Sequence, residues 1–153
     1  MISKLRNARR GRLGNILVEF SVGAGLFISA FTATFQYGYI FYRYNTLENA
    51  VNNGARWAAL APYDSSSATA STAFSTKVKN MVVYGKPTTG TSPLVPGLAT
   101  SHVVLTPTFT NGVPTHMKVH ISGFTISGIF GSMNCTNKPM IQYAYQGRWA
   151  PLP

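Results

Sequence analysis

From Ile16 to Tyr42 the chain is apolar at nearly every position, and Glu19 is the only ionisable side chain there besides the tyrosines. At about 1.5 Å of rise per residue, this run exceeds the roughly 30 Å hydrocarbon core of a bilayer, so one tilted helix can span it. Beyond Tyr42 the pattern changes. In "NTLENAVNNGARWAALA" the residues Leu47, Ala50, Val51, Gly54 and Ala58 recur at the spacing of one helix face, while Asn45, Glu48, Asn49, Asn52, Asn53 and Arg56 fill the other. Pro62 stops the pattern. The two stretches together predict one near-continuous helix over 15–61, about 70 Å long and transmembrane in its first half, about 16–42.

The remaining body, 62–153, alternates differently. "DSSSATASTAFSTKVKN" is small and polar, which predicts a loop running into a short helix that ends near Met81. Gly85, Gly90 and Gly97, with Pro87, Pro93 and Pro96, make the next stretch an irregular surface loop. Val103, Leu105, Pro107 and Phe109 then alternate on one strand, and Met117, Val119 and Ile121 on a second. Parity selects their register. A two-residue Asn111–Gly112 turn sets Val103 opposite His120 and mixes buried with polar positions. An odd-numbered loop sets Val103 opposite Ile121 and Leu105 opposite Val119, and a one-residue slip would flip every side chain, so the odd loop is expected. "MIQYAYQG" supplies a third strand. Three strands bury too little to stand alone, so the sheet should pack on the outer half of the long helix. The fold class is α+β: a long N-terminal helix against a small antiparallel sheet.

Charge sharpens this picture. The net charge of +10 suggests nucleic acid until the charges are placed. Lys4, Arg6, Arg9, Arg10 and Arg12 all precede Gly14, whereas eight Lys and Arg residues are scattered beyond it against three acids. The body has no basic stripe interleaved with aromatics, so no nucleic-acid partner is expected. Basic residues at one end of the span keep that end cytoplasmic, which puts the N-terminus inside, the span in the inner membrane and the body outside. Tyr37, Tyr39, Phe41, Tyr42 and Tyr44 would form an aromatic belt at the outer interface. The apolar run is too long for a secretory signal and lacks a small-x-small cleavage pattern.

Candidate chemistry is sparse. Cys135 is the only cysteine, which excludes an internal disulfide and any CxxC motif, and a small buried or loop residue is expected there. His102, His116 and His120 invite a metal assignment, but the favoured register points all three to a polar strand face with Lys118. No carboxylate or thiolate lies near enough in sequence to complete a site, so solvated histidines are expected. Asp64 is the only aspartate, no Ser-His-Asp set can be argued, and no phosphate-binding glycine loop is present. No enzyme activity, cofactor, metal or small-molecule substrate is expected.

Two features of the span ask for partners. Ser21, Gly25, Ser29 and Ala33 recur every fourth residue, a stripe that would let helices approach closely in lipid. Glu19 lies just inside the start of the apolar run. A central acid costs roughly 2.5–3.5 kcal/mol in a bilayer, and less near an interface, so something must offset it. If the chain were cut after Gly14, Asn15 would carry a new ammonium one helical turn from Glu19, and all five leader charges would be removed.

The basic leader 1–14, ending in Gly14, then four residues, Glu19-Phe20 and a long apolar helix, resembles the class III prepilin signal of tight-adherence pilus systems. "NTLENAVNNGARWAAL" resembles the helix continuation of TadE-like pseudopilins, and "VKNMVVYGKP" followed by "PLVPGL" resembles their body. The resemblance implies a minor pilin-like subunit needed for assembly of a type IV pilus of the tight-adherence kind. Gly14 would be its last leader residue and Asn15 its first mature one after cutting by a prepilin peptidase. Glu19, followed by Phe20, would be the acid needed for assembly beside other pilins and pseudopilins, paired with a neighbour's amino terminus. Many relatives carry a proline six residues after the glutamate, where this chain has Gly25, so the helix kink that proline would force is not implied here. The competing expectation is an uncleaved single-pass anchor that displays a small periplasmic binding domain.

Overall fold

The structure is a computed structural model that describes residues 2–149, with side chains from Asn15 onward. The elements are α1 (Ile2–Leu60), α2 (Thr72–Tyr84), one 3₁₀ turn (Thr100–His102), β1 (Val103–Thr110), β2 (Val113–Ser127) and β3 (Ser132–Ala144). This is the α+β arrangement expected, with a long N-terminal helix and a small antiparallel sheet. The side chains of the leader, 1–14, lie outside the described residues. Contacts along the chain separate two units, residues 1–39 and 40–153.

In the second unit, α1 buries the face its spacing predicts. Leu47, Ala50, Val51, Ala55 and Ala58 enter the core, and Asn45, Glu48, Asn49, Asn53 and Arg56 stay exposed. Small residues on this face let α2 come close. At Gly54 an added Cβ would overlap Val82 Cγ2, so only glycine fits that crossing without movement. Ser71 caps α2, its Oγ accepting from Phe74 N at 3.1 Å and donating to Asp64 Oδ2 at 2.7 Å. The helix ends at Tyr84, three residues past the expected Met81. Phe74, Val78 and Val82 continue one buried face, and Gly85, at φ +72, supplies the left-handed cap that donates to Met81 O.

The strands lie in the order β1-β2-β3, antiparallel throughout. Val103 sits opposite Ile121 and Leu105 opposite Val119, the register that parity favours. The connection is not the odd loop expected. Asn111 and Gly112 form a two-residue turn at φ +53 and +77, and the register shifts between Thr108 and Phe109. Thr115, unpaired on β2, is the extra residue of a bulge, and its hydroxyl donates to Thr108 O at 3.1 Å. The bulge restores the parity that the short turn breaks, so both sequence signals are satisfied. β3 begins at Ser132, well before the predicted "MIQYAYQG". Its first half is polar except at Met133, Cys135 and Pro139, which hid it from an alternation search. Further irregularities interrupt the β2–β3 ladder between His120 and Phe124, where Gly123 sits at φ +71.

The C-terminal end is tied back to the chain leaving α1. Tyr63 is fully buried and its N–H points to both Tyr145 Oη at 2.9 Å and Arg148 O at 3.0 Å. The Tyr145 hydroxyl proton lies within reach of Arg148 O and Ala61 O. Trp149 Nε1 donates to Ser65 O. Burial pushes the Tyr63 and Tyr145 phenols above their ordinary values, so both remain protonated donors at neutral pH.

Candidate assembly segment

Asn15–Leu60 holds a helix stretch long and apolar enough to cross a membrane, and none of its most apolar window is buried in the chain. Ile16, Leu17, Val18 and Phe20 are between 58 and 72 % exposed, and Leu26, Phe27, Ile28 and Phe31 are comparably open. A helix apolar on all sides and uncovered by its own chain is one whose environment, lipid or other subunits, must supply the burial.

Glu19 sits on this exposed surface, and among the described residues it makes no hydrogen bond or ion pair. Phe20 is exposed beside it. Asn15 is exposed at the first described side chain, and the Gly14 half of the expected cut lies outside the described side chains. Ser21, Gly25, Ser29 and Ala33 are all exposed. Two of the stripe's hydroxyls are already satisfied inside the helix: Ser21 Oγ donates to Leu17 O at 2.7 Å and Ser29 Oγ to Gly25 O at 2.8 Å. What these positions offer a neighbouring helix is therefore smallness rather than free donors. Gly25 has open space around it.

The body residues proposed for chemistry separate. His116 and His120 share the outer sheet face with Lys118, as expected, and both are half-buried rather than freely solvated. His102 departs from the expectation. It ends the 3₁₀ turn before β1 rather than joining the strand face. Its Nδ1 accepts from Ala99 N at 3.1 Å and its ring lies 5.4 Å from that of Phe124. It is a cap, not a partner for His120. Among the described residues no three His, Cys, Asp or Glu side chains cluster as metal ligands would. Burial, then Lys118, hold His120 below its ordinary pKa, and its Nδ1 is buried without a hydrogen-bond partner. Cys135 is buried, and burial pushes its thiol up, which makes it inert rather than nucleophilic.

Sequence reasoning missed two features. Tyr44, expected in the aromatic belt, instead packs half-buried against the core, where with Phe41, Met133, Cys135 and Lys138 it lines a groove of about 360 Å³. On the same body Tyr143 donates to Asn52 Oδ1 at 2.6 Å, fastening β3 to α1. The first half of β3 carries one wall of the groove, and its polar composition concealed it.

Residues 14–56 match the family model described as TadE-like protein. No curated protein and no solved structure matches the chain. The matched stretch starts at Gly14, takes in the exposed apolar segment and ends at Arg56, within the part of α1 that buries one face in the body. The match leaves the sheet outside the comparison.

Proposed function

Taking the TadE-like stretch as premise, we propose that this chain is a minor pilin-like subunit of a tight-adherence pilus. In this reading it is held in the inner membrane with its body outside, and a prepilin peptidase matures it by cutting after Gly14. The observation that carries the reading is Glu19, exposed and without a side-chain partner among the described residues, on the exposed apolar stretch of α1, five residues beyond the glycine at which the family match begins. Cutting there changes the electrostatics of Glu19. In the uncut chain it lies in mid-helix. After the cut Asn15, a residue type favoured at helix N-caps, opens the helix. Glu19 then stands in the first turn, where unpaired backbone N–H groups and the helix dipole favour an anion by about 0.3–1 kcal/mol or more. The new ammonium, on this or a neighbouring subunit, adds a charge partner. The subunit acts by packing, through the stripe Ser21, Gly25, Ser29 and Ala33, without chemistry of its own. Its partners are the peptidase and other pilins and pseudopilins.

Two substitutions separate the steps. Gly14→Ala should block maturation, seen as a chain that keeps its leader on an immunoblot. Glu19→Ala should mature normally and fail to support pili. Normal piliation by Glu19→Ala would refute the charge-partner role.

A further inference from the structure

The outer face of the sheet carries cationic groups and no acid. Lys118 and His120 stand there on the central strand, β2, flanked by Thr106 and Val104 on β1 and by Gln142 and Met140 on β3. The two acids of the body are elsewhere: Glu48 is on α1, and Asp64 accepts from Ser71. Lys118 is half-buried, and among the described residues its ammonium makes no hydrogen bond or ion pair.

An irregularity in β3 turns part of this face into a recess. Met140 pairs with His120 and Thr136 with Ser122, so β3 places three residues, Asn137, Lys138 and Pro139, opposite Ile121 alone. Bulges of this kind re-aim side chains. Asn137, at φ +57, lines a hollow of about 260 Å³ together with Lys118, His120 and Met140. Lys138 lines the groove beside Phe41 instead. The hollow lies just below the roughly 300–1,000 Å³ of small-molecule pockets. The Asn137 side chain is exposed and has no hydrogen-bond partner among the described residues. Nδ1 of His120 is buried and unpartnered. A buried acceptor left unpaired is tolerated better than a buried donor, which assigns the ring proton to Nε2. The Nε2–H, the Lys118 ammonium and the Asn137 amide can therefore all donate, and Met140, 54 % exposed, adds an apolar wall.

We propose that Lys118, His120 and Asn137 bind a phosphate group, either as the free ion or as a small phosphate ester. Three separate donors on two strands suit a tetrahedral group whose oxygens diverge. A planar carboxylate is matched by an arginine fork, and no arginine lines the hollow. Met140 offers the carbon skeleton of an ester an apolar surface. Binding is linked to protonation of His120. Burial, then Lys118, disfavour the imidazolium. An anion in the hollow offsets the Lys118 charge and attracts that of the ring, so it raises the His120 pKa and is held more tightly as pH falls below about 6.5. Opposite His120, β1 and β3 present Val104 and Met140, neither ionisable, and His116 stands two positions beyond Lys118 on the same face. The site lies wholly within residues 40–153 and does not depend on the membrane or pilus reading.

The test uses the full chain, isotope-labelled at histidine, in maltoside micelles, which contain no phosphate. The ring signals of His102, His116 and His120 are assigned by changing one histidine at a time to glutamine. Sodium phosphate is then titrated against sodium chloride at equal ionic strength. The expected result is a saturable shift at His120, a rise in its pKa, and no saturable response at His102. Lys118→Gln and Asn137→Gly should each weaken binding about tenfold or more. Glycine keeps the positive φ at position 137, so a loss there reports the amide and not the bulge. Tighter binding of glycerol phosphate than of inorganic phosphate identifies an ester as the occupant, and equal or weaker binding identifies the free ion. A shift that chloride reproduces, or His116 and His120 responding alike, means general screening of the face and overturns the site. Acetate binding as tightly as phosphate, or unchanged affinity in Asn137→Gly, overturns it as well.

Discussion

The two halves of α1 have the same backbone and opposite side-chain fates. Between Leu47 and Ala58 the helix buries a regular stripe made mostly of Ala, Val and Gly, and each of these residues finds its partners in the same chain. Between Ile16 and Phe35 larger apolar side chains stand open on every side. The outer half is specified by period, with polar residues marking the face that must stay wet. The inner half has almost no polar positions to mark a face, so its hydrophobicity states only that some other medium covers it. One pattern encodes an internal fit and the other an address.

The strongest way to break the outer half is to fill its closest approach. Gly54→Val should force α1 and α2 apart where Val82 already touches the glycine, at a cost of about 1–3 kcal/mol. Calorimetry of the detergent-solubilised chain should show the body melting earlier. Gly54→Ala combined with Val82→Ala should recover part of the loss, because the two residues share one contact. A body that tolerates Gly54→Val unchanged would disprove the close crossing.

A matched pair sharpens the contrast between the halves. Leu47 is fully buried, so Leu47→Ala should cost the body about 2–5 kcal/mol. Leu26 is 70 % exposed, and Leu26→Ala should leave the melting of the body unchanged. Equal effects from both would mean that the two halves are not packed differently.

The smallest effect concerns the sheet's outer face. His120 is held below its ordinary value of 6.5, so the folded body binds fewer protons than the unfolded chain just below that pH. This contribution to stability is intact above about pH 6.5 and is lost as pH falls through 6.5 toward the lower folded value. His120→Gln should flatten the melting profile in that window, measured by circular dichroism between pH 7.5 and 5. An unchanged profile would mean that another group carries the acid sensitivity there.

How far the chain could be understood from residue order follows from the same contrast. The buried face of α1 was legible because it repeats, and the β1–β2 register because the two strands must agree in parity. The turn was misjudged because Asn111–Gly112 and the parity rule conflict unless a bulge intervenes, and nothing near Thr115 announces one. The early part of β3 was invisible because Ser132, Asn134, Thr136 and Asn137 look like a loop, while only Met133 and Cys135 carry the inward pattern. Within the candidate segment, Glu19 stood out because a lone acid in an apolar run has to be accounted for. The groove beside Phe41 and Tyr44 did not, because its walls come from positions about ninety residues apart in sequence.

The central claim is that Glu19 awaits an ammonium made by cutting the chain. Intact-mass and N-terminal peptide mass spectrometry of the protein from piliated cells tests it most directly. A chain that begins at Asn15 is the predicted result. A chain that still begins at Met1 in cells bearing functional pili would contradict it.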